Sequence, residues 1–265
     1  PALDSDTAAQ DWMAHVALRI QSAAKRRQLA KETFHKDPFL HHCMDIDRYD
    51  AISGKDWGAG EVWSLFSWAA RSEIFRNQLS DLVKNGQPES LRTHTVAMLT
   101  CLEPGRECLN TNPSFEEGDG ARANDWSLWL QDDVGTLTRT EQAKQTGEYS
   151  MLGKGVQYGG PHQTVEFAPG RYCLTASLYV PEGQPDGGFV DLGLRALNEA
   201  NRNLPNGGTT SITPTPGTWC AAATLMDVRT PPKGAVRIRA GVWARNFPPG
   251  KTIYIDDMRL FRLPD

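Results

Sequence analysis

A run of nine residues near the end of the chain alternates charged or aromatic side chains with apolar ones. Arg237, Arg239, Trp243 and Arg245 stand at every second position, and Gly241 fills the remaining place. A period of two is typical of a β-strand, so these side chains share one face. A flat indole can stack on the apolar C–H face of a sugar ring, and guanidinium groups can hold polar substituents of the ring. The strand therefore predicts a binding face.

The three arginines on this face bear on the kind of ligand. A guanidinium group binds a carboxylate through two parallel hydrogen bonds. Arg237, Arg239 and Arg245 therefore favour a uronic acid or another acidic polysaccharide over a neutral glucan. The alternative is that the arginines pair with Asp and Glu side chains of the protein surface.

Further aromatic and polar residues are candidates for the same site. Tyr179 lies in a second alternating run. Trp126, Trp129, Tyr158, His162 and Trp219 lie in predicted loops or at the ends of predicted strands. Trp243 is the strongest candidate because its neighbours on the strand face are charged. For each single aromatic residue, and for Trp126 above all, packing in the core is the alternative. The predicted ligand-binding residues are Trp243, Arg237, Arg239, Tyr179, Trp126, Trp129, Tyr158 and His162.

The hydrophobic pattern of the chain changes at Leu109. Before it, apolar residues recur at helical spacing, which predicts helices over residues 7–27, 61–84 and 88–103. After it, alternating runs separated by Pro and Gly turns predict an antiparallel sandwich. The predicted fold class is a two-domain α+β protein, with an N-terminal α-helical domain over 1–108 and an antiparallel β-sandwich over 109–265.

Four segments of the second part resemble, in the same order, strands of carbohydrate-binding modules of the jelly-roll superfamily, such as families 4, 9, 16 and 22. They are 109–118, with Phe-Glu before a Gly, and then 146–150, 163–172 and 253–260. The resemblance implies a galactose-binding-like jelly roll that binds a polysaccharide or oligosaccharide without catalysis. It also implies an accessory region of a larger secreted glycoside hydrolase, with the catalytic domain outside this sequence.

The same resemblance implies a structural calcium ion. In similar modules a Glu of the Phe-Glu opening and an Asp of the last strand supply carboxylate oxygens, and backbone carbonyls complete the shell. The corresponding positions here are Glu116 and Asp256, with Gly147 adjacent. Glu117 and Asp257 are the competing assignments. Oxygen-only ligation is what a hard cation such as Ca²⁺ requires.

Composition narrows the class of protein. A net charge of −4 over 265 residues disfavours a nucleic-acid partner. No apolar run approaches the roughly 20 residues that span a bilayer. The start at Pro1 favours an excised fragment of a secreted protein. No G-x-S-x-G segment is present. Two other roles stay open: a structural or adhesion sandwich without sugar binding, and a polysaccharide-degrading enzyme with its site between the two domains.

Five cysteines leave an odd thiol. Cys101 and Cys108 flank a short turn-forming loop and are one predicted disulfide. Cys173 and Cys220 lie in predicted strands, where they pair or remain buried thiols, and Cys43 is left single. The alternative is that all five are buried thiols.

Overall fold

The structure, a computed structural model, divides the chain into two compact units, Pro1–Pro104 and Gly105–Asp265. The second unit contains every strand described below. In the first unit, the described positions between 70 and 80 and between 96 and 101 are helical. The residues that the structure describes are 105–205, 207–264, 99–103, Ala70, Glu73, Arg76, Asn77, Ser80, Val96 and Ala97.

Twelve β-strands and one short 3₁₀ helix, Gln131–Asp133, make up the described part of the second unit. The strands are β1 (Gly118–Asp119), β2 (Arg122–Ala123), β3 (Ser127–Leu130), β4 (Thr136–Thr140), β5 (Ser150–Lys154), β6 (Tyr158–Glu166), β7 (Arg171–Tyr179), β8 (Phe189–Leu197), β9 (Gly208–Ile212), β10 (Cys220–Asp227), β11 (Arg237–Arg245) and β12 (Thr252–Leu263).

The strands form two antiparallel five-stranded sheets and a small β1–β2 ribbon. One sheet has the order β10-β7-β12-β5-β4, and the other has the order β3-β6-β11-β8-β9. Apart from β4–β5 and β8–β9, neighbouring strands in each sheet are not consecutive in the chain, as in the jelly roll that the sequence predicts. We call the second sheet the β11 sheet, after its central strand.

The core lies between the inner faces of the two sheets. In β11, Ile238, Ala240, Val242 and Ala244 are each at most 2% exposed, and their counterparts on the facing sheet include Leu178. Fully burying an aliphatic side chain such as Ile or Val stabilises the fold by about 1.5–3 kcal/mol. This burial fixes the register, so the alternate positions of β11 must face outward.

The predicted α+β class with an N-terminal α-helical domain is wrong. The described chain is a β-sandwich, and its helical content is small. A stripe of apolar residues at helical spacing is a weak predictor by itself, because most helical stability in a protein comes from tertiary packing of that stripe. Most residues of the three predicted helices lie outside the described residues. The predicted domain boundary between residues 108 and 109 remains a prediction.

The cysteines do not pair as the sequence suggested. Cys101 and Cys173 each take part in a disulfide bond, whereas Cys108 and Cys220 are thiols. The predicted Cys101–Cys108 bond and the alternative Cys173–Cys220 bond are therefore both wrong. A short loop brings two cysteines near each other in sequence, but a disulfide also needs the Cβ atoms to point towards each other. Cys43 lies outside the described residues.

Candidate functional site

The outer face of the β11 sheet carries polar and aromatic side chains in rows across the strands. In the register of β11 with β8, Trp243 is opposite Asp191, Gly241 is opposite Gly193, and Arg239 is opposite Arg195. These residues alternate with the buried core positions of both strands. The strand period that buries one face therefore assembles the other face as a continuous surface.

A cleft of about 360 Å³ opens on this face, which is the size range of small-ligand pockets. We call it the aromatic–arginine cleft. Its lining residues are Trp129, Tyr158, His162, Asp191, Gly193, Arg195, Asn203, Thr209, Arg239, Trp243 and Arg245.

Aromatic rings gather around Trp243. The ring centroid of Trp129 lies 6.0 Å from that of Trp243, and the ring of Tyr158 lies 6.4 Å away. Trp129 and Tyr158 also touch edge to face, with centroids 5.0 Å apart. Edge-to-face contacts of this kind hold rings in fixed orientations. Trp129 is 42% exposed, so part of this aromatic wall is open to solvent.

Two glycines make room for the Trp243 indole against the sheet. A Cβ atom at Gly241 would lie 2.6 Å from Cζ2 of the indole, and one at Gly193 would lie 3.1 Å from Nε1. Because any side chain at Gly241 would collide with the ring, glycine lets the indole approach the backbone closely. The ring of His162 lies 5.3 Å from that of Trp243, at an angle of 34°.

The cleft also carries a net positive charge. Three arginines and one aspartate line the cleft, which leaves two positive charges. The aspartate, Asp191, forms an ion pair with Arg245, and the Arg245 guanidinium lies 4.0 Å above the Tyr158 ring. Arg195 donates hydrogen bonds to the backbone carbonyls of Leu194 and Gly208. These contacts engage Arg245 and Arg195.

His162 adds no charge at neutral pH. Burial, and secondly the positive charge of Arg239, lowers the pKa of His162 to about 4. The imidazole is therefore neutral above that pH, and each ring nitrogen can donate or accept one hydrogen bond. Its buried Nδ1 has no hydrogen-bond partner among the described residues.

The structure brings five of the eight predicted ligand-binding residues into the cleft: Trp243, Arg239, Trp129, Tyr158 and His162. The role of each in binding remains a prediction. Their convergence follows from the antiparallel pairing of β3, β6 and β11, which places their outer positions side by side.

Tyr179, Trp126 and Arg237 do not line the cleft. Tyr179 lies on β7 of the other sheet, where its ring stacks on Trp219 at 5.4 Å. Trp126 is 8% exposed, packs against Phe115, and donates a hydrogen bond from Nε1 to the carbonyl of Asn112.

Arg237 stands on the same face of β11 but beyond the end of the cleft. Its guanidinium donates a hydrogen bond to the side-chain oxygen of Asn201, at 2.8 Å. The strand alternation correctly predicted the face of Arg237. It carried no information about where along the strand the cleft would end.

Sequence reasoning did not select several cleft residues on β8, on β9 and in the loop between them. The signal for two of them was present, because Asp191 and Arg195 occupy outer positions of a run whose alternation is visible in the sequence. What was missing was the pairing of β8 with β11. The residues that were not predicted are Asp191, Gly193, Arg195, Asn203 and Thr209.

The predicted calcium residues meet at one loop, residues 145–149. The Glu116 carboxylate accepts hydrogen bonds from the backbone N–H groups of Glu148 and Tyr149. The Asp256 carboxylate accepts them from Gln145 and Thr146, at 2.7 and 3.0 Å. The two carboxylates thus reach the same loop from opposite ends of the domain sequence.

Carboxylate oxygens are ligands that a hard cation prefers, and in this structure backbone N–H groups donate to both carboxylates. Asp256 is fully buried, and that burial raises the pKa of its carboxyl to about 6. A divalent cation would offset the cost of burying this charge. Among the described residues there is no group of three His, Cys, Asp or Glu side chains that could hold a metal, so such a site would need backbone carbonyl oxygens as further ligands.

In the described part of the chain, no helix has the length and hydrophobicity to cross a membrane.

No family model matches the chain, and no curated protein is significantly similar to it. Among solved structures, the chain is similar to a family 61 carbohydrate-binding module in complex with β-1,4-galactotriose. The TM-score is 0.44 and the identity 18%, over 60% of this chain and 100% of that one. A second is the CBM22-1 xylan-binding domain from Paenibacillus barcinonensis, with a TM-score of 0.41 and 10% identity, over 57% of this chain and 92% of that one.

A third similar structure is the enzymatically active domain of tailspike protein 4 from bacteriophage CBA120. The TM-score is 0.45 and the identity 18%, over 59% of this chain, which spans only 21% of the tailspike domain. Most of the similar structures are carbohydrate-binding modules, which is the class that the sequence resembles. Because one fold can serve many functions, the function depends on the residues that line the cleft.

Proposed function

We propose that the β-sandwich binds a polysaccharide or oligosaccharide in the aromatic–arginine cleft. The observation that carries this proposal is the aromatic wall of Trp243, Trp129 and Tyr158 beside polar groups in a single open cleft. Apolar ring faces that stack on a flat ligand, with a few convergent polar groups, are what recognition of a sugar requires. A purely structural sandwich has no need of a part-exposed tryptophan wall.

Affinity electrophoresis tests this proposal. The native protein is run through gels that contain β-glucan, xylan, galactan or polygalacturonate, together with the W243A and W219A variants. Trp219 is a matched control because it is an aromatic residue packed on a neighbouring ring of the other sheet. We expect retardation of the wild type and W219A in at least one gel and loss of retardation for W243A. Equal retardation of all three proteins would show that Trp243 and the cleft do not bind the polysaccharide.

We also propose that Glu116, Asp256 and the carbonyl of Gly147 hold a structural Ca²⁺ ion. Support comes from the convergence of both carboxylates on residues 145–149 and from the complete burial of Asp256. A bound cation would stabilise the loop by neutralising the two carboxylates. Asp256 lies on β12, which belongs to the other sheet from the one that carries the cleft, so the role proposed for the ion is structural rather than ligand-binding.

The proposal also covers the kind of protein to which the β-sandwich belongs. We propose that the chain is an accessory region of a larger secreted protein that acts on polysaccharides, such as a glycoside hydrolase. The disulfide bonding of Cys101 and Cys173 supports an oxidising compartment. Detection of the protein in the culture medium of its native host, in a longer chain with a hydrolase domain, is the corresponding test.

A further inference from the structure

Two arginines stand directly opposite each other at one end of the aromatic–arginine cleft. Arg239 of β11 and Arg195 of β8 are cross-strand partners in the register of the sheet. Like charges at directly opposite positions destabilise a sheet unless a counter-charge lies between them. The arrangement therefore calls for a negative group at this end of the cleft.

The residues that the structure describes do not supply that group. Among the described residues that line the cleft, Asp191 alone is acidic, and it is engaged by the Arg245 ion pair and by a 2.6 Å hydrogen bond from the Ser211 hydroxyl. Arg195 is held by two backbone carbonyls and by the Thr209 hydroxyl. These contacts fix the position of Arg195 and leave its charge without a carboxylate.

Arg239 has neither a hydrogen-bond partner nor an ion-pair partner in the described part of the chain. Its Nε is buried, and a buried guanidinium nitrogen without an acceptor is costly. The adjacent His162 Nδ1 is likewise buried and unpartnered. Two unpartnered polar groups thus lie side by side, at the end of the cleft opposite the exposed Trp129.

We propose that Arg239, assisted by Arg195, binds an anionic substituent of the saccharide while Trp243 stacks on its ring. The substituent is the carboxylate of a uronic acid or a sulfate ester, since both present oxygens that a guanidinium fork can hold through paired hydrogen bonds. This inference rests on the proposed function. The sequence predicted that Arg237, Arg239 and Arg245 together favour an acidic polysaccharide. The inference restricts this role to Arg239 and its neighbour Arg195, because Arg245 is paired with Asp191 and Arg237 lies outside the cleft.

The test compares ligands that differ only in charge. Oligogalacturonate and its fully methyl-esterified form share one sugar backbone, and a sulfated galactan oligosaccharide with its desulfated form provides the second pair. Binding of each is measured by isothermal titration calorimetry for the wild type, R239Q and R237Q. Arg237 is the matched control because it lies on the same strand face, two residues away, and contacts Asn201 instead of the cleft.

We expect the wild type to prefer the anionic member of at least one pair by about tenfold or more, which corresponds to one charge-assisted hydrogen bond. R239Q should abolish this preference and R237Q should retain it. The pair that shows the preference identifies the carboxylate or the sulfate as the bound group. Raising the salt concentration should reduce the preference, since the contact is ionic.

Equal binding of the charged and uncharged members of both pairs would overturn the inference and leave saccharide binding standing. A preference that survives in R239Q would also overturn it, since the anion would then be held elsewhere. Failure to bind any of the four saccharides would instead count against the proposed function itself.

Discussion

Replacing Gly241 with alanine tests whether the position of the Trp243 indole determines binding. The new Cβ atom would lie 2.6 Å from Cζ2 of the indole, whereas ordinary contact begins at 3.4 Å, so the ring edge must move by about 0.8 Å. Gly241 does not have a positive φ, and the backbone therefore accepts alanine. The expected change is confined to the cleft.

The size of the effect follows from the contact that is lost. A radial gap of 0.5–1 Å forfeits about a quarter to a half of the attraction between packed atoms. If Trp243 contributes about 2 kcal/mol to binding, as a central aromatic anchor does, the loss is about 0.5–1 kcal/mol. This corresponds to saccharide binding that is about twofold to fivefold weaker, measured by calorimetry with the oligosaccharide that binds the wild type.

Gly193 provides a graded control for this substitution. A Cβ atom there would lie 3.1 Å from the indole Nε1, so a shift of about 0.3 Å restores ordinary contact. We expect G193A to weaken binding by less than twofold. Wild-type affinity in a folded G241A protein, or a larger loss in G193A than in G241A, would refute the reasoning that the glycine floor positions the indole.

Three further predictions concern the aromatic wall, the neutral histidine and the carboxylate loop. W129A should weaken saccharide binding by about tenfold and lower the free energy of unfolding by about 1–3 kcal/mol, because Trp129 is only 42% exposed and makes edge-to-face contacts with Trp243 and Tyr158. Calorimetric titration measures the change in affinity, and a melting curve measures the change in stability. His162 has a pKa of about 4 in the folded protein against an ordinary value of 6.5, so its contribution to stability is present above pH 6.5 and is lost as the pH falls towards 4. Urea unfolding across this range should show a steeper decline for the wild type than for H162Q, and parallel curves would contradict the assignment. Calcium at about 100 times its Kd should raise the melting temperature by about 5–10 °C over a chelator control, in the wild type and E117Q but not in E116Q. An equal rise in melting temperature for all three proteins would show that Glu116 is not a ligand of the ion.

The sandwich was predictable from the sequence because strand alternation records burial directly. Ile238, Ala240 and Val242 alternate with polar positions, and the structure buries them to 2% exposure or less. The same alternation placed Arg239 and Trp243 on one outer face. Strand period therefore predicts which side chains share a face within one strand.

Pairing between strands could not be read in the same way. Tyr179 has the same alternation as Trp243, yet β7 and β11 belong to different sheets, because sheet membership depends on long-range contacts. Asp191 and Arg195 line the cleft because β8 pairs with β11 in the observed register. The sequence of one strand does not determine which strand it pairs with.

Side-chain packing was the second limit. Trp126 precedes a strand in a segment rich in polar residues, yet its ring lies 4.9 Å from that of Phe115 in the core. The helical stripes before Leu109 predicted a fold class that the described chain does not show, since periodicity measures only the potential for an amphipathic face.

The most direct test of the account is the location of a bound saccharide in a crystal of the complex, grown with the oligosaccharide that binds most tightly in the calorimetric series. The account predicts a sugar ring stacked on the Trp243 indole, with its polar substituents directed at Arg239 and His162. A saccharide seated on Tyr179 and Trp219 of the other sheet, with the cleft filled by water alone, would contradict it.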